Sequence, residues 1–319
     1  MNIEELAAGV LARQPRLLAR AISVVEDGRE EARALMQALA SAGQQTRVIG
    51  LTGSPGVGKS TTTSALIDHY RAAGLTVAVL ACDPSSPFSG GALLGDRVRM
   101  QEHFLDPGVY IRSMSSRGHL GGLSASTPQA ARILGAAGFD FILIETVGVG
   151  QSEVEVAASA DTTVVLMAPG MGDGIQAVKA GILEVGDIFV VNKADRDGAH
   201  DTVRELRHAL SLAADVRARP AEPDEWTPPI LLTVASTAGG IPELVKALEE
   251  HAAWLTGTES GRMRKARRAE AELEAVVLAH LRARAGAFRD DPRFRDLANE
   301  VSLGLRDAYS AAEVLVSRL

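Results

Sequence analysis

Between Arg47 and Ala235 the chain alternates short apolar runs of β-forming residues with stretches of helical apolar spacing. The apolar runs are Val48–Thr52, Thr76–Cys82, Val109–Ser113, Phe139–Glu145, Thr162–Ala168, Asp187–Asn192 and Ile230–Ala235. In Phe141-Ile142-Leu143-Ile144 successive residues are all apolar, so both faces of that strand must be covered, as in a sheet enclosed by helices. Strands and helices alternating in this way predict an α/β fold with a doubly wound, mostly parallel sheet and right-handed crossovers. Ligands then bind beyond the carboxyl ends of the strands.

Outside this region the spacing is helical. Leu17, Leu18, Ile22 and Val25, then Ala32, Leu35, Met36 and Leu39, mark two helical segments within Ile3–Ala42; Gly28 falls between them and Ser41-Ala42-Gly43 reads as a stop. A loop rich in proline and acid, Arg219 to Pro229, precedes the last strand. After Trp254 strand signals cease: Gly257 to Gly261 reads as a linker, and Arg264–Arg284 and Arg306–Leu319 as helices. The pattern predicts an amino-terminal helical arm over 1–45, a nucleotide-type core over 46–256 and a carboxyl-terminal helical arm over 257–319. Leu273, Val276, Val277, Leu278 and Leu281 give the last arm an apolar stripe wide enough to pack on the chain or on a second copy.

Composition narrows the class of function. Apolar residues make up 46% of the 319, enough to bury a full core, and a formal charge of −7 argues against nucleic acid as a partner. The basic run Arg262–Arg268 opens a helix rich in Glu and Ala and reads as a solvated or interface face. One cysteine, Cys82, excludes a disulfide framework and a cysteine-rich metal site. No apolar run approaches the ~20 residues that span a bilayer, and the amino end, Met1-Asn2-Ile3-Glu4-Glu5, is acidic where a signal peptide is basic. A cytoplasmic protein with no membrane partner is expected.

The clearest chemical signal is Gly53-Ser54-Pro55-Gly56-Val57-Gly58-Lys59-Ser60, which fits G-x-x-x-x-G-K-[ST]. An apolar strand precedes it and a helical stretch, Ser60 to Tyr70, follows. The glycines let the chain curl so that backbone N–H groups point at phosphate oxygens, and the helix amino terminus adds positive partial charge. Lys59 would bridge the β- and γ-phosphates and the Ser60 hydroxyl would coordinate Mg²⁺, with Thr61 completing the phosphate-binding run.

Two acids follow strand ends. Glu145 closes an apolar strand, and Glu145-Thr146-Val147-Gly148 has the spacing of a GTPase switch motif with Glu in place of the commoner Asp. Glu145 would hold a Mg²⁺-bound water and the Gly148 N–H would approach the γ-phosphate. Asp83 ends the strand after the phosphate-loop helix and Asp96 lies shortly beyond it. Mg²⁺ on a nucleotide takes one or two carboxylates, which suits Asp83, Glu145 and Asp96. A helix cap for Asp83 and a plain surface charge for Asp96 are the bland alternatives.

Asn192-Lys193-Ala194-Asp195 follows another core strand and fits N-K-x-D. A carboxylate at Asp195 would accept from guanine N1–H and N2–H₂ together. Adenine offers no such donor pair, so a buried carboxylate would remain unsatisfied against it. GTP and GDP are thus the expected ligands, with Val234-Ala235-Ser236 supplying a backbone N–H to guanine O6.

Several of these stretches together resemble the MeaB/ArgK type of P-loop GTPase, the methylmalonyl-CoA mutase-associated proteins related to the metal-insertion GTPases. They are Gly53–Thr61, Asp83-Pro84-Ser85-Ser86, Gly95-Asp96-Arg97-Val98-Arg99-Met100, Glu145–Glu153, Pro169–Asp173 with Gln176, Lys179–Ile182 and Asn192–Asp195; Leu18–Ile22 resembles the family's amino-terminal arm. The resemblance implies a Mg²⁺-dependent GTPase chaperone that gates adenosylcobalamin loading of an acyl-CoA mutase and protects it. It also implies homodimerisation through the carboxyl-terminal arm. Asp96 then belongs to a switch with Mg²⁺ contacts, and Asp173, Gln176 and Lys179 to a switch that communicates with the mutase. Where family members often carry Ser-Ala, this chain has Val234-Ala235, which leaves only a backbone contact to the base.

Hydrolysis would proceed by in-line attack of water on the γ-phosphoryl, with Lys59, Glu145 and Gly148 as the catalytic set. No residue stands out to position the water, Gln151 being the nearest candidate, so hydrolysis is expected to be slow alone and stimulated by the partner. Two rivals remain. An older label for such proteins, arginine/ornithine (LAO/AO) transport kinase, would require a substrate pocket that no motif marks. A metal-insertion GTPase would carry Cys-x-x-Cys or His-rich tracts, which the seven scattered histidines and Cys82 do not form.

Overall fold

A computed structural model of the chain describes residues 2–42, 46–83, 101–115, 126–146, 156, 159–170, 180–216, 224–286 and 292–316. Among them each predicted apolar run meets one strand: β1 (Arg47–Thr52), β2 (Val77–Asp83), β3 (Val109–Ser115), β4 (Phe141–Thr146), β5 (Thr162–Met167), β6 (Ile188–Asn192) and β7 (Ile230–Thr233). The strands form one sheet in the order β3-β2-β4-β1-β5-β6-β7, and every neighbouring pair is parallel. The chain builds one side of β1 first, through β2, β3 and β4, and the other side afterwards, through β5, β6 and β7. Beyond the carboxyl end of β1 the connections therefore part, which opens the crevice where such sheets bind ligands.

Alternation of side chains explains the coverage of both faces. Ile142 and Ile144 of β4 join Ala78 and Leu80 of β2 in a core made with the amino-terminal helices and the helix Thr127–Ala136. Phe141 and Leu143 join Ile49 and Leu51 of β1, Val164 and Leu166 of β5 and Ile188 and Val190 of β6 on the opposite face. The helices Lys59–Ala72 and Ile241–Gly257 cover that second face, through residues such as Leu66, Ile67, Leu244 and Leu248.

The chain forms two compact units, Met1–Lys265 and Ala266–Leu319. In the first, the helices Ile3–Leu11, Pro15–Glu26 and Glu31–Leu39 bury Leu6, Val10, Leu18, Ile22, Leu35 and Leu39, so the amino-terminal arm belongs to the core of the α/β unit. Arg13 anchors it by donating to the Ala137 carbonyl at 3.0 Å and by stacking over Phe139.

The expected linker at Gly257–Gly261 is instead a helix-to-helix junction. Ile241–Gly257 ends and Glu259–Gly286 begins with Thr258 alone between them. Its hydroxyl accepts from the Gly261 N–H at 3.0 Å, as an N-cap does, and Asp224 accepts from the Ser260 N–H at 3.2 Å. Two glycines signalled a break where side-chain caps restart the helix at once. In the second unit the helix Pro292–Ser302 was not anticipated, and the last helix spans Ala308–Val316 among the described residues. Leu273, Val276, Val277, Leu278 and Leu281 are exposed. No helix among the described residues is long and apolar enough to cross a membrane.

At the amino edge of the sheet a buried polar cluster closes the first unit. His251 shares a hydrogen bond with Thr162 Oγ1 at 2.8 Å and lies against Trp226 and Trp254. Its Nε2 is 3.5 Å from Asp187 Oδ1, but Arg264 reaches that same oxygen at 2.5 Å and answers the carboxylate's charge. Burial first, and then the Arg264 charge, push the imidazole down to about 3. Below about pH 6.5 the unfolded ring binds a proton that the folded ring refuses until about pH 3, so stability falls as pH is lowered through that window. The loss attributable to His251 between pH 7 and 5 is about 2 kcal/mol. Urea unfolding of the wild type and of His251→Asn at both pH values is expected to show a shallower acid decline in the variant; identical declines would contradict the assignment.

Candidate functional site

The turn between β1 and the helix Lys59–Ala72 is shaped by glycines at positive φ, Gly53 at 135°, Gly56 at 80° and Gly58 at 98°. At Gly53 any side chain is impossible on a second ground. A Cβ there would stand 2.1 Å from the Leu166 carbonyl oxygen, because the loop crosses β5 at backbone contact. Gly58 takes the left-handed conformation that starts the helix, and a Cβ on it would meet Asn192 Nδ2 at 2.3 Å. Val57 is buried and pins the loop from below, whereas Pro55 and Gly56 are exposed at its crest. Lys59 turns back beneath this curl: its ammonium, on a side chain only 7% exposed, donates to the Gly53 carbonyl at 2.7 Å and the Ser54 carbonyl at 3.1 Å. A cation thus stands at the centre of a loop opening on a helix amino terminus, a site built for anionic oxygens.

Register brings the acid to this loop. Leu51 of β1 pairs with Glu145 of β4, and Ala81 of β2 is level with the same residue from the other side. Glu145 is 2% exposed, and its carboxylate meets hydroxyls of the phosphate-loop helix at both oxygens: Ser60 Oγ donates to Oε1 at 2.5 Å and Thr63 Oγ1 to Oε2 at 3.0 Å. The single hydrogen of Ser60 is directed to the carboxylate, so the hydroxyl's lone pairs stay available to a cation. A hydroxyl oxygen beside a buried carboxylate is an all-oxygen donor set of the kind hard Mg²⁺ accepts, and Ser60 and Glu145 fit that ion. Asp83 ends β2, two strands from β1 at the same carboxyl edge of the sheet.

A third element closes on the loop from the opposite side. Asn192, the last residue of β6, is 3% exposed, and its amide joins three segments. Nδ2 donates to the Val57 carbonyl at 2.9 Å, while Oδ1 accepts from the Ala235 N–H at 3.0 Å and the Thr233 hydroxyl at 3.1 Å. Lys193 takes a left-handed φ of 57°, and its ammonium donates to the Gly56 carbonyl at 2.6 Å, lying along the loop. Asn192 and Lys193 therefore hold the phosphate loop, and Asp195 alone of the motif's polar residues is exposed. The carboxylate is not buried by the chain, contrary to the expectation above.

The same geometry narrows the backbone donor after β7. The Val234 N–H donates to the Gly239 carbonyl at 2.8 Å and the Ala235 N–H to Asn192, whereas Ser236 stands exposed in the 3₁₀ turn Ala235–Thr237. Of the three residues, Ser236 is the exposed one.

Thr63 was missed in the sequence. Its signal is the run Thr61-Thr62-Thr63 opening a helix, where β-branched residues are poor helix formers and so point to another task. Asp96, Gly148, Gln151, Asp173, Gln176 and Lys179 lie outside the described residues.

Comparison with known proteins gives the family of the chain. A model of the family described as methylmalonyl Co-A mutase-associated GTPase MeaB matches residues 18–289. A GTPase-named protein of Pyrococcus abyssi is 43% identical over 99% of this chain and 97% of its own length. GTPase ArgK of Escherichia coli is 39% identical over 83% of this chain and 81% of its own. The methylmalonic aciduria type A homolog of Caenorhabditis elegans, a mitochondrial protein, is 32% identical over 99% of this chain and 82% of its own. Among solved structures, one titled LAO/AO transport system kinase superposes with a TM-score of 0.68 at 26% identity, covering 99% of this chain and 98% of the other. The chain belongs to the MeaB family of methylmalonyl Co-A mutase-associated GTPases.

Proposed function

We propose that this GTPase binds GTP and GDP with Mg²⁺ and uses the nucleotide state to gate adenosylcobalamin loading of, and to protect, a cobalamin-dependent acyl-CoA mutase. The observation that carries the nucleotide part is the Asn192 junction, which fixes the phosphate loop and the base-reading turns to one another. The family match and the likeness to the methylmalonic aciduria type A homolog support the mutase as partner.

The reaction is GTP + H₂O → GDP + phosphate. The loop curled around Lys59 holds the triphosphate by backbone N–H groups, and the ammonium exchanges the Gly53 and Ser54 carbonyls for phosphate oxygens. Ser60, with Glu145, Asp83 and Asp96 as the acids, would hold Mg²⁺, which would supply screening of the phosphate charge. Ser60 orients its lone pairs by donating its hydrogen to Glu145, and the Gly148 N–H approaches the γ-phosphate. Asp195 accepts from guanine N1–H and N2–H₂, and the Ser236 N–H donates to O6. Hydrolysis is slow until the mutase, read through Asp173, Gln176 and Lys179, completes the site. The exposed apolar residues Leu273, Val276, Val277, Leu278 and Leu281 serve homodimerisation of the carboxyl-terminal arm. The transport-kinase title of the solved relative offers a second reading, but a carboxylate that pairs with guanine argues against an ATP-dependent kinase.

Two measurements test this reading. Asp195→Asn replaces one acceptor by a donor, which mismatches guanine N2–H₂ and matches the C2 carbonyl of xanthine. Calorimetry is expected to show GDP affinity falling at least about a hundredfold and xanthosine diphosphate affinity rising; unchanged preference would contradict the base assignment. Co-purification with a cobalamin-dependent acyl-CoA mutase is expected to differ between GDP and a non-hydrolysable GTP analogue, and indifference to the nucleotide would contradict the gating.

A further inference from the structure

Thr63 lies beyond the phosphate-loop motif, yet it is fully buried and aimed at the acid of the Mg²⁺ side. We propose that Thr63 is the positioning residue that holds Glu145 against Ser60 and thereby sets the Mg²⁺ concentration the nucleotide site requires. This inference rests on the GTPase reading of the same site.

The geometry is that of a two-point hold. Ser60 and Thr63 stand three residues apart on the helix Lys59–Ala72 and so share one face of it. Each presents a hydroxyl to one oxygen of the same carboxylate, at 2.5 and 3.0 Å. Thr63 Oγ1 is also 3.0 Å from the Lys59 carbonyl, the usual back-bond of a helical threonine. A hydroxyl has one hydrogen, and a buried carboxylate is the stronger acceptor, so the hydrogen goes to Glu145. Thr62 shows the ordinary behaviour of the residue type in a helix: its hydroxyl donates to the Gly58 carbonyl at 3.0 Å.

The hold matters because the acid is Glu. One methylene more than Asp adds a rotatable bond, and with it ways for the carboxylate to turn off Ser60. If it turns, the Ser60 hydrogen loses its acceptor and the hydroxyl's lone pairs are no longer fixed toward the cation. Thr63 removes that freedom through a second bond to the other oxygen. Phosphate binding by the loop amides and Lys59 does not pass through Thr63, so the effect falls on the metal and not on the nucleotide alone.

Thr63→Val keeps the shape and removes the hydroxyl, while Thr63→Ser restores it. GDP affinity is measured by calorimetry on the full chain, first with EDTA and then across a Mg²⁺ titration, with thermal unfolding checking that each variant is folded. Thr63→Val is expected to match the wild type in EDTA within about twofold and to need on the order of tenfold more Mg²⁺ for half the metal-dependent gain. Thr63→Ser is expected to return to the wild-type titration. A wild-type Mg²⁺ titration in Thr63→Val overturns the proposal. So does an equal loss of affinity in EDTA, which marks a merely structural role, or a serine variant that behaves like valine. A wild type that binds no guanine nucleotide would instead overturn the GTPase reading, and this inference with it.

Discussion

The side-chain amide of Asn192 is the contact on which the site depends. In the proposed reading two recognition tasks, gripping phosphate and identifying a base, fall to loops that leave different strands of a parallel sheet. Sheet register alone sets the strand ends level but leaves each loop to its own conformation. Asn192 removes that independence by donating to the Val57 carbonyl in one loop and accepting from the Ala235 N–H and Thr233 hydroxyl in another. Being buried, each of these groups would be costly to leave unpaired, so the three segments order together. The close approach of Gly58 to Asn192 follows from the same contact, since a Cβ at that position would push the junction apart.

A second constraint acts at the other end of the loop. The buried hydroxyl of Thr63 and carboxylate of Glu145 form, with the half-buried hydroxyl of Ser60, a small polar group against the sheet. Such a group is stable only when its members satisfy one another, and doing so also gives them fixed directions. Directed lone pairs on Ser60 would suit a cation, so the contact supplies geometry as well as stability.

Much of this was legible in the chain because the physics is local. Runs such as Phe141–Ile144 have no polar face and can only be interior strands, and the seven runs so read correspond to seven strands, with ends displaced by two residues at most. The loop Gly53–Ser60 was legible because left-handed backbone conformations call for glycine at fixed spacing. What escaped depended on contacts between distant segments. Gly257 and Gly261 looked like a linker, whereas the Thr258 hydroxyl and Asp224 cap a new helix, one of them from a loop far back in the sequence. Val234, Ala235 and Ser236 read alike as backbone donors, whereas the N–H groups of the first two are bonded to Gly239 and Asn192. The N-K-x-D motif suggested a buried carboxylate at Asp195, whereas the residue is exposed at the turn after β6.

The most direct test of the account is the nucleotide preference of Asn192→Ala, measured by calorimetry with GTP and ATP analogues that resist hydrolysis, in the presence of Mg²⁺. If one amide couples the two loops, its removal lowers affinity for the guanosine analogue by about a hundredfold and shrinks the guanosine-over-adenosine ratio, although neither the loop lysine nor Asp195 has been touched. A variant that keeps both the wild-type affinity and the wild-type ratio would contradict the account, since the loops would then hold their places without Asn192.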